Sequence, residues 1–325
     1  METSSTTPDN LDVVTAALLS RQSLLVSALR PILPEHALLW EPEDTIPYEC
    51  DGLAAYRRMP LAVALPETED QVAQILKICF EMQVPIVPRG SGTGLSGGAM
   101  PISQGLVLSL AKLKKIISID PFTRTAVVQP GVRNLAISEA VAHLGLYYAP
   151  DPSSQIACSI GGNVNENSGG VHCLKYGLTL HNVLKIRGIL MNGEIVEFGS
   201  LAPDSPGLDL LAIVMGSEGM LAVVTEVTVK LIAKPKLARV IMASFDDIEK
   251  GADAVAAIIA AGIIPAGLEM MDKATTRAVE EFVHAGYDLE AETILLCESD
   301  GTPEEVAEEI ERMTKVLEQA GASGI

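Results

Sequence analysis

The stretch Val84-Pro-Ile-Val-Pro-Arg-Gly-Ser-Gly-Thr-Gly-Leu-Ser-Gly-Gly98 decides which fold the chain can adopt. A β-type run from Val84 to Val87 leads into a loop with five glycines, Gly90, Gly92, Gly94, Gly97 and Gly98. Glycine lets backbone N–H groups approach a ligand without a Cβ in the way, and consecutive N–H groups form a concavity that attracts phosphate oxygens. Hydroxyl donors and one cation complete the loop: Ser91, Thr93, Ser96 and Arg89. We therefore predict that this loop holds a diphosphate.

The segment Gly92-Thr-Gly-Leu-Ser-Gly97 matches the dinucleotide-binding pattern G-x-G-x-x-G letter for letter. That pattern requires a helix directly after it, so that the helix N-terminus meets the phosphates. Here turn residues follow, and Leu106 to Leu110 reads as a strand. An ordinary glycine-rich turn is the alternative interpretation, but this loop is longer and richer in glycine than such turns. A phosphate cradle of a non-Rossmann kind is favoured, and a P-loop is excluded because no Gly-Lys-Ser/Thr follows.

Two further glycine clusters occur later in the chain. Pro150 to Gly170 is dense in small and amide residues, and Lys175-Tyr-Gly177 follows it. Gly216-Ser-Glu-Gly219 leads into a strand at 221–231. Three glycine-rich segments, each joined to strands, indicate one extended ligand that lies across several loops.

These segments carry a resemblance to a known family. The chain resembles the FAD-binding domain of the vanillyl-alcohol-oxidase type, and most closely the FAD-linked D-2-hydroxy-acid dehydrogenases, which include the FAD-binding subunit of bacterial glycolate oxidase. The resemblance runs from about Glu41 to the end of the chain. The matching segments are Ile46–Gly52, Arg89–Gly98, Val128–Gly131, Pro150–Ser154, Ser159–Gly170 and Gly216–Gly219.

The resemblance implies an α+β fold, in which a two-subdomain FAD-binding domain precedes an incomplete α/β substrate (cap) domain. We place an N-terminal helix and linker at 1–58, the FAD-binding domain at 59–234 and the partial substrate domain at 235–325. Within the first subdomain, the pattern predicts a strand at 61–65, a capping box at Thr68–Gln71, a helix to Met82 and a strand at 84–87. The helix thus precedes the glycine loop, whereas in a Rossmann unit it follows the loop.

The resemblance also implies which residues contact FAD. We expect the loop to hold the diphosphate, the second cluster to flank the isoalloxazine and the ribityl chain, and Glu218 with Gly219 to meet the adenosine end or the ribityl hydroxyls. For Glu218, a helix cap or a solvent contact is the alternative. Beyond the loop residues above, the implied contacts are Pro150, Asp151, Ser153, Ser159, Gly161, Gly162, Asn163, Asn167, Gly169, Gly170, Tyr176, Gly177, Glu218 and Gly219. The loop contains no His, Cys or Tyr, so we expect non-covalent FAD.

The implied reaction is oxidation of a D-2-hydroxy acid, such as glycolate or D-lactate, by hydride transfer from its α-carbon to flavin N5. Electrons would pass to partner redox subunits (flavin and iron–sulfur) or to a quinone-linked carrier. The family's base and metal-ligand motifs lie in a C-terminal half, and none of those strings occurs in this sequence. We therefore predict no catalytic residue and no metal ligand within the chain. A flavin-binding electron-relay module without its own turnover is the alternative.

Composition sets limits on partners and location. With 23 Lys and Arg against 42 Asp and Glu, the net charge of −19 argues against nucleic acid or an anionic membrane as a partner. Met1 to Asn10 shows no signal-peptide pattern, and the apolar run Ala254–Leu268 is shorter than the ~20 residues of a membrane span. Five cysteines without a C-x-x-C pair indicate reduced thiols. We expect a cytoplasmic protein that is not integral to the membrane, although partners could hold it against the inner membrane.

Overall fold

The computed structural model describes residues 8–202 and 207–325, and side chains from Thr15 onward. Most of the polar N-terminal segment considered above therefore lies outside the described residues. The helices, numbered in chain order, are α1 Pro8–Leu29, α2 Pro42–Thr45, α3 Glu69–Glu81, α4 Asn134–Val141, α5 Ile160–Glu166, α6 Cys173–Tyr176, α7 Thr179–Asn182, α8 Leu210–Val214, α9 Ile248–Ala260, α10 Lys273–Val283 and α11 Pro303–Gln319.

The strands follow the same order. They are β1 Leu38–Leu39, β2 Ala62–Ala64, β3 Ile86–Arg89, β4 Leu106–Ser109, β5 Ile116–Asp120, β6 Thr125–Val128, β7 Leu146–Tyr147, β8 Val183–Ile189, β9 Ile195–Gly199, β10 Val223–Lys230, β11 Ile232–Ala233, β12 Leu237–Phe245, β13 Gly267–Asp272 and β14 Thr293–Gly301.

The chain forms two compact units, and each is built from separated segments. The first unit comprises Met1–Leu144, Ser154–Ser168 and Asn182–Leu231. The second unit comprises Gly145–Ser153, Gly169–His181 and Ile232–Ile325. The second glycine cluster is therefore divided, because its middle part, Ser154–Ser168, belongs to the first unit, and the residues on either side of it belong to the second.

The smaller sheet of the first unit contains the start of the glycine loop. Its order is β1-β2-β4-β3, with β2 and β3 both parallel to β4. Helix α3 connects β2 to β3, so the helix precedes the loop as expected. The predicted capping box is present, because the Thr68 hydroxyl accepts from the Gln71 N–H and the Gln71 side chain reaches back. Buried Leu25 and Leu29 of α1 join the same core as Ile75 and Leu76 of α3.

Strand β3 begins two residues later than the sequence pattern predicts. Gln83 has a positive φ of 53°, and the Val84 N–H donates to the Cys79 carbonyl. These residues close the end of α3, so pairing with β4 begins only at Ile86. The strand extends through Pro88 to Arg89, so Arg89 is both the last residue of β3 and the first residue of the loop.

The larger sheet of the first unit is antiparallel, in the order β5-β6-β10-β8-β9. The Asn192-Gly193 turn joins β8 to β9 with a positive φ of 86° at Gly193, as its sequence predicts. Arg187 of β8 and Thr225 of β10 both bond to Glu69 at the start of α3. This contact ties the larger sheet to the helix that precedes the glycine loop.

The second unit contains a three-stranded antiparallel sheet in the order β12-β14-β13, with β14 in the centre. Helices α9 and α11 pack on this sheet around Phe245, which is fully buried, with Leu295 and Cys297. Strand and helix alternate along the chain, and β14 lies between β12 and β13 and runs antiparallel to both. A two-stranded ribbon, β7 with β11, belongs to the same unit. No helix in the described ranges is long and apolar enough to cross a membrane.

Candidate functional site

The Arg89 side chain contacts the glycine loop and the segment that precedes it. Its Nη1 donates to the Cys50 carbonyl at 2.6 Å and to the Ala99 carbonyl at 3.5 Å, and its guanidinium lies 5.6 Å from the centre of the Tyr48 ring. Burial lowers the pKa of Arg89, while the nearby Asp51 carboxylate opposes that shift. A Cβ on Gly92, which has a φ of +69°, would collide with the guanidinium. The loop backbone therefore packs against the Arg89 guanidinium, which already donates hydrogen bonds to backbone carbonyls.

The preceding segment, 46–52, forms the other wall of the loop. Asp51 is buried, and its carboxylate accepts from the N–H of Ala99 at 3.2 Å and of Leu53 at 3.0 Å. A Cβ on Gly52 would lie 2.8 Å from the Thr93 carbonyl oxygen and 2.7 Å from that of Gly94. These close approaches fix the shape of the loop through backbone atoms alone.

Helix α5 brings the second glycine cluster to the first. A Cβ on Gly90 would collide with the Ser159 hydroxyl, and a Cβ on Gly94 would lie 2.7 Å from Glu166 Oε1. Sequence reasoning missed this helix, because Gly161, Gly162 and Asn163 have low helix propensity. Tertiary contact stabilises it instead: Gly161 lies so close to Pro130 that a Cβ there would be 2.5 Å from the proline Cβ.

The third glycine segment pairs with the end of α5. The Gly216 N–H donates to the Val164 carbonyl and the Glu218 N–H to the Asn165 carbonyl, each at 2.9 Å. Gly219, with a φ of +74°, contacts Pro88 beside the loop. A Cβ on Gly98 would collide with the Glu218 carboxylate. The first unit thus brings all three glycine-rich segments together, as one ligand across several loops requires.

Three buried polar atoms in this region have no hydrogen-bond partner in the structure. They are the hydroxyl oxygens of Ser159 and Ser217 and the amide oxygen of Asn165. Buried polar groups are normally satisfied, so a set of orphans within the second and third glycine segments indicates groups that a ligand would meet. Hydroxyls and exposed loop N–H groups suit a polyol phosphate chain. The residues present therefore fit the diphosphate and ribityl portions of a flavin dinucleotide.

Acidic side chains also lie beside the glycine loop, because Glu166 is next to Gly94 and Glu218 is next to Gly98. Glu218 has a φ of 55°, and burial raises its pKa, with a further contribution from the charges of Glu166 and Asp51. A carboxylate can accept hydrogen bonds from sugar hydroxyls but repels phosphate. This chemistry is consistent with Glu218 and Glu166 facing a hydroxyl-bearing part of a ligand, with the N–H-rich part of the loop facing its phosphates.

Some of the residues that the sequence suggested as contacts serve the fold. The Asn163 side-chain amide donates to Asn134 Oδ1 at 2.8 Å, and both residues are buried, so the pair ties α5 to α4. Asn167 ends α5 in the left-handed conformation with a φ of 52°. Ser91 and Ser96 are exposed on the loop, whereas Thr93 and Gly97 are partly buried.

The second unit holds the other suggested contacts, and two of these side chains are already engaged. Asp151 lies in the loop after β7 and makes two contacts with His172. Its Oδ2 atom lies 2.5 Å from His172 Nδ1, and its Oδ1 atom accepts a hydrogen bond from the backbone N–H of His172 at 3.3 Å. On the other side, Nε2 of His172 lies 3.4 Å from Oε1 of Glu298 on β14. The Asp151 hydrogen bond is the main cause that raises the pKa of His172 to about 9, with Glu298 adding to it against burial.

Tyr176 likewise bonds to an acidic residue of β14. Its hydroxyl donates to the Asp300 carboxylate, whose oxygens lie at 2.8 and 2.7 Å, and the Lys175 Nζ bonds to the same group at 2.5 Å. Asp300 is only 5% exposed. The Tyr147 ring lies edge-on to Tyr176, with the centroids 6.2 Å apart. Burial, followed by the Asp300 hydrogen bond, raises the pKa of Tyr176.

The remaining suggested contacts of the second unit are backbone positions. A Cβ on Gly170 would collide with Asp151, and one on Gly169 would lie 3.0 Å from Leu178. Gly177, with a φ of +81°, contacts His181. Pro150 is buried and Ser153 is exposed in the same loop as Asp151. In the described ranges, no group of three His, Cys, Asp or Glu residues has an arrangement that could hold a metal ion.

Sequence reasoning missed several residues that shape these sites. Asp51, Glu166 and Ser217 all lie inside quoted motifs, yet glycine spacing carried no signal for them. Glu298 and Asp300 had no signal at all, because their partners are 126 and 125 residues away in sequence. Only the fold brings such charges together.

Two family models match the chain. The FAD binding domain matches residues 60–199, and the C-terminal domain of FAD linked oxidases matches residues 234–325. The glycolate oxidase subunit GlcD of Escherichia coli strain K12 is 60% identical over 305 residues, which cover 94% of this chain and 61% of that protein. The corresponding Bacillus subtilis subunit is 43% identical over 86% of this chain and 59% of its own length.

More distant similarities point to the same fold. A D-lactate dehydrogenase of Anaerostipes hadrus is 33% identical over 92% of the chain and 64% of its own length. Among solved structures, an alkyldihydroxyacetonephosphate synthase superposes with a TM-score of 0.80 at 19% identity, covering 93% of this chain and 60% of that one. A p-cresol methylhydroxylase superposes with a TM-score of 0.77 at 20% identity, covering 93% and 65%. The chain thus spans about 60% of the length of the relatives it matches.

Proposed function

Because the chain belongs to the FAD-linked oxidase family and contains its FAD-binding domain, we propose that it serves in the oxidation of a small D-2-hydroxy acid to the 2-oxo acid. Glycolate and D-lactate are the substrates proposed, since the relatives are named as glycolate oxidase subunits and D-lactate dehydrogenases. FAD, when bound, would accept the hydride from the substrate α-carbon.

The observation that carries this proposal is the convergence of three glycine segments around orphaned polar atoms. We propose that the N–H groups of Arg89–Gly98 hold the diphosphate, while Ser159, Asn165 and Ser217 satisfy their buried polar atoms on the cofactor. Arg89 would act by shaping the loop, because its guanidinium already bonds to the carbonyls of Cys50 and Ala99. Glu218 would accept from a ribityl or ribose hydroxyl.

The same residues would keep the cofactor non-covalent. The loop Arg89–Gly98 has no His, Cys or Tyr among its ten residues. Covalent flavin attachment needs such a group close to the ring. We assign no catalytic base among the described residues, and the substrate hydroxyl proton would have to reach a base within hydrogen-bond distance.

Partners and location belong to the same proposal. Since two relatives at 60% and 43% identity are named as subunits, we propose that electrons leave through partner redox subunits that carry flavin and iron–sulfur groups. The assembly would lie in the cytoplasm, against the inner membrane through those partners. An electron-relay module without its own turnover is the second candidate, and flavin reduction separates the two.

The test uses the purified protein under anaerobic conditions. Acid precipitation should leave a colourless pellet and a yellow supernatant, because the FAD is not covalently bound. A yellow pellet would contradict that assignment. Bleaching of the flavin absorbance by glycolate or D-lactate, with L-lactate as the matched control, would support substrate oxidation by this chain. A flavin that only dithionite reduces would contradict substrate oxidation by this chain and favour the relay.

A further inference from the structure

The first unit contains a cleft whose lining includes no residue of the glycine segments. It encloses about 480 Å³ between helix α1 and the segment 40–42, which joins β1 to α2. This volume is within the range of roughly 300–1,000 Å³ that is typical of small-molecule sites. The lining residues of α1 run from Leu19 to Arg30, about 16 Å along the helix axis. The cleft therefore has the size and length of a site for a compact organic molecule.

The two walls of this cleft are held together at two places. The Gln22 side-chain amide donates to the Trp40 carbonyl at 3.1 Å and to the Leu61 carbonyl at 2.7 Å. About two turns further along α1, the guanidinium of Arg30 lies 5.2 Å from the centre of the Trp40 ring. Because these contacts fix the walls, a ligand would order few side chains on binding, and that lowers the entropic cost of association.

Small side chains keep the space between the walls open. Ser23 and Ser27 lie one turn apart on α1 and line the cleft, where larger side chains would fill it. The Ser27 hydroxyl donates to the Ser23 carbonyl at 2.8 Å, so its oxygen can still accept a hydrogen bond. Leu19, which is 60% exposed, and Pro42 add apolar surface. The lining thus combines apolar surface with a few polar groups, as small-molecule sites do.

Two opposite charges also line the cleft. Within residues 8–202 and 207–325, no carboxylate lies within ion-pair distance of Arg30. A guanidinium that stacks on an aromatic ring keeps its N–H groups in its own plane, where they match the geometry of a carboxylate. Glu41 precedes α2 without a side-chain capping bond and lines the same cleft. Its carboxylate repels a second negative charge on a ligand.

We propose that this cleft binds a small monocarboxylate with an apolar body. The carboxylate meets Arg30, and the body lies against Trp40 and Leu19 along α1. Glu41 restricts the site to ligands with a single negative charge, so phosphate monoesters and dicarboxylates bind weakly. The site is independent of the FAD binding proposed above.

The chain's one tryptophan makes the test direct, because Trp40 forms part of the cleft wall. The probe is 4-phenylbutyrate, added to the purified protein while Trp40 fluorescence is excited at a wavelength that the probe does not absorb. We expect a saturable change with 4-phenylbutyrate. Over the same concentrations we expect none with 4-phenylbutylamine, which has the same body and a positive charge. Equal responses to the two compounds, or no saturable response to 4-phenylbutyrate, would overturn the proposal.

Two substitutions test the two halves of the site by calorimetric titration, which does not depend on Trp40 emission. Arg30→Gln should bind 4-phenylbutyrate roughly 10-fold more weakly, as expected when a charge-assisted hydrogen bond is lost. Ser23→Leu should abolish binding by filling the cleft, while the high helix propensity of leucine preserves α1. Arg57→Gln removes an exposed arginine outside the cleft and should bind like the wild type. Wild-type affinity in both Arg30→Gln and Ser23→Leu would place binding elsewhere and contradict the proposal.

A third substitution predicts a gain of binding, which no folding defect can imitate. The wild type should not bind phenyl phosphate, whereas Glu41→Gln should bind it, because the carboxylate that repels the second charge is removed. Identical responses of the wild type and Glu41→Gln to phenyl phosphate would contradict the role given to Glu41. Flavin absorbance is recorded for every variant and should equal that of the wild type. Loss of 4-phenylbutyrate binding with full flavin content would therefore separate this site from the proposed function.

Discussion

The glycine loop of the first unit and a charged clamp in the second unit are held rigid in opposite ways. The charged clamp is the set of ion pairs and hydrogen bonds among Asp151, His172, Lys175, Tyr176, Glu298 and Asp300. The loop has almost no side chains to interlock, so backbone carbonyls and N–H groups approach one another directly, as Gly52 does with the carbonyls of Thr93 and Gly94. The clamp depends on side-chain charge, with Asp300 buried between Lys175 and Tyr176. A loop that binds phosphate must keep backbone N–H groups free for the ligand. A cluster of ion pairs that holds segments together must instead leave no buried charge without a partner.

This difference predicts how each region fails. In the loop, added volume should be harmful and loss of charge mild. In the clamp, loss of charge should be harmful, because removing one partner leaves the other buried without compensation. Substitutions that change only volume or only charge can therefore test the comparison.

The largest effect is expected for Asp300→Asn, which changes charge at constant volume. It leaves the Lys175 ammonium, 27% exposed, without its carboxylate. We expect the second unit to lose about 3 kcal/mol of unfolding free energy, near the lower end for breaking a buried pair. Hydrogen exchange of the β12–β14 peptides measures this loss. Trp40 fluorescence reports only on the first unit, because Trp40 is the chain's one tryptophan.

Glu308→Ala is the matched control, since it also removes a negative charge from the second unit but from an exposed position on α11. It should leave exchange unchanged. If Asp300→Asn exchanged like the wild type, the clamp would contribute no stability and the comparison between the two regions would fail.

The two regions also differ in how much the sequence revealed. Local signals were sufficient where neighbours in sequence are neighbours in space: Thr68 with Gln71 capped α3, and Asn192-Gly193 formed the hairpin turn. The glycine loop was visible because its ligand would contact consecutive residues. The clamp was invisible, since an acidic residue on a strand has no feature that marks a partner more than a hundred positions away.

Helix α5 shows a third situation, in which local preference pointed the wrong way. Its Gly161-Gly162-Asn163 sequence favours a loop, so the sequence alone predicts no helix there. The helix forms because small residues permit close contact with Pro130 and because buried Asn163 finds Asn134. The glycines of this cluster therefore serve packing as well as the approach of a ligand.

A smaller effect is expected for Gly52→Val, which changes volume without charge. The new Cβ would lie 2.7 and 2.8 Å from backbone carbonyl oxygens, which cannot rotate away. We expect a loss of about 2 kcal/mol of unfolding free energy, within the range for overpacking, together with loss of bound FAD. Urea unfolding followed by Trp40 fluorescence measures the first quantity, and flavin absorbance measures the second.

Gly94→Val supplies the contrast within the same loop. Its Cβ would meet only the mobile end of Glu166, so the apoprotein should remain as stable as the wild type while flavin is lost. Full flavin occupancy in Gly94→Val would remove Gly94 from the cradle. Equal destabilisation by both variants would show that the loop does not depend on the close approach at Gly52.

The smallest effect is expected at Arg89, where the loop does carry a charge. Its guanidinium is directed at the carbonyls of Cys50 and Ala99 and stacks near Tyr48. If Arg89 shapes the loop through its planar fork, lysine cannot replace it, because an ammonium is a point charge without that geometry. Arg89→Lys and Arg89→Gln should then both weaken FAD binding by roughly 5-fold, about 1 kcal/mol, with the same dependence on salt as the wild type. Equilibrium titration at low and high ionic strength measures this. A contrary result would be full FAD affinity in Arg89→Lys with weakened affinity in Arg89→Gln, and a weakening that disappears at high salt. Arg89 would then act on the diphosphate by its charge, and the loop would depend on side-chain charge as the clamp does.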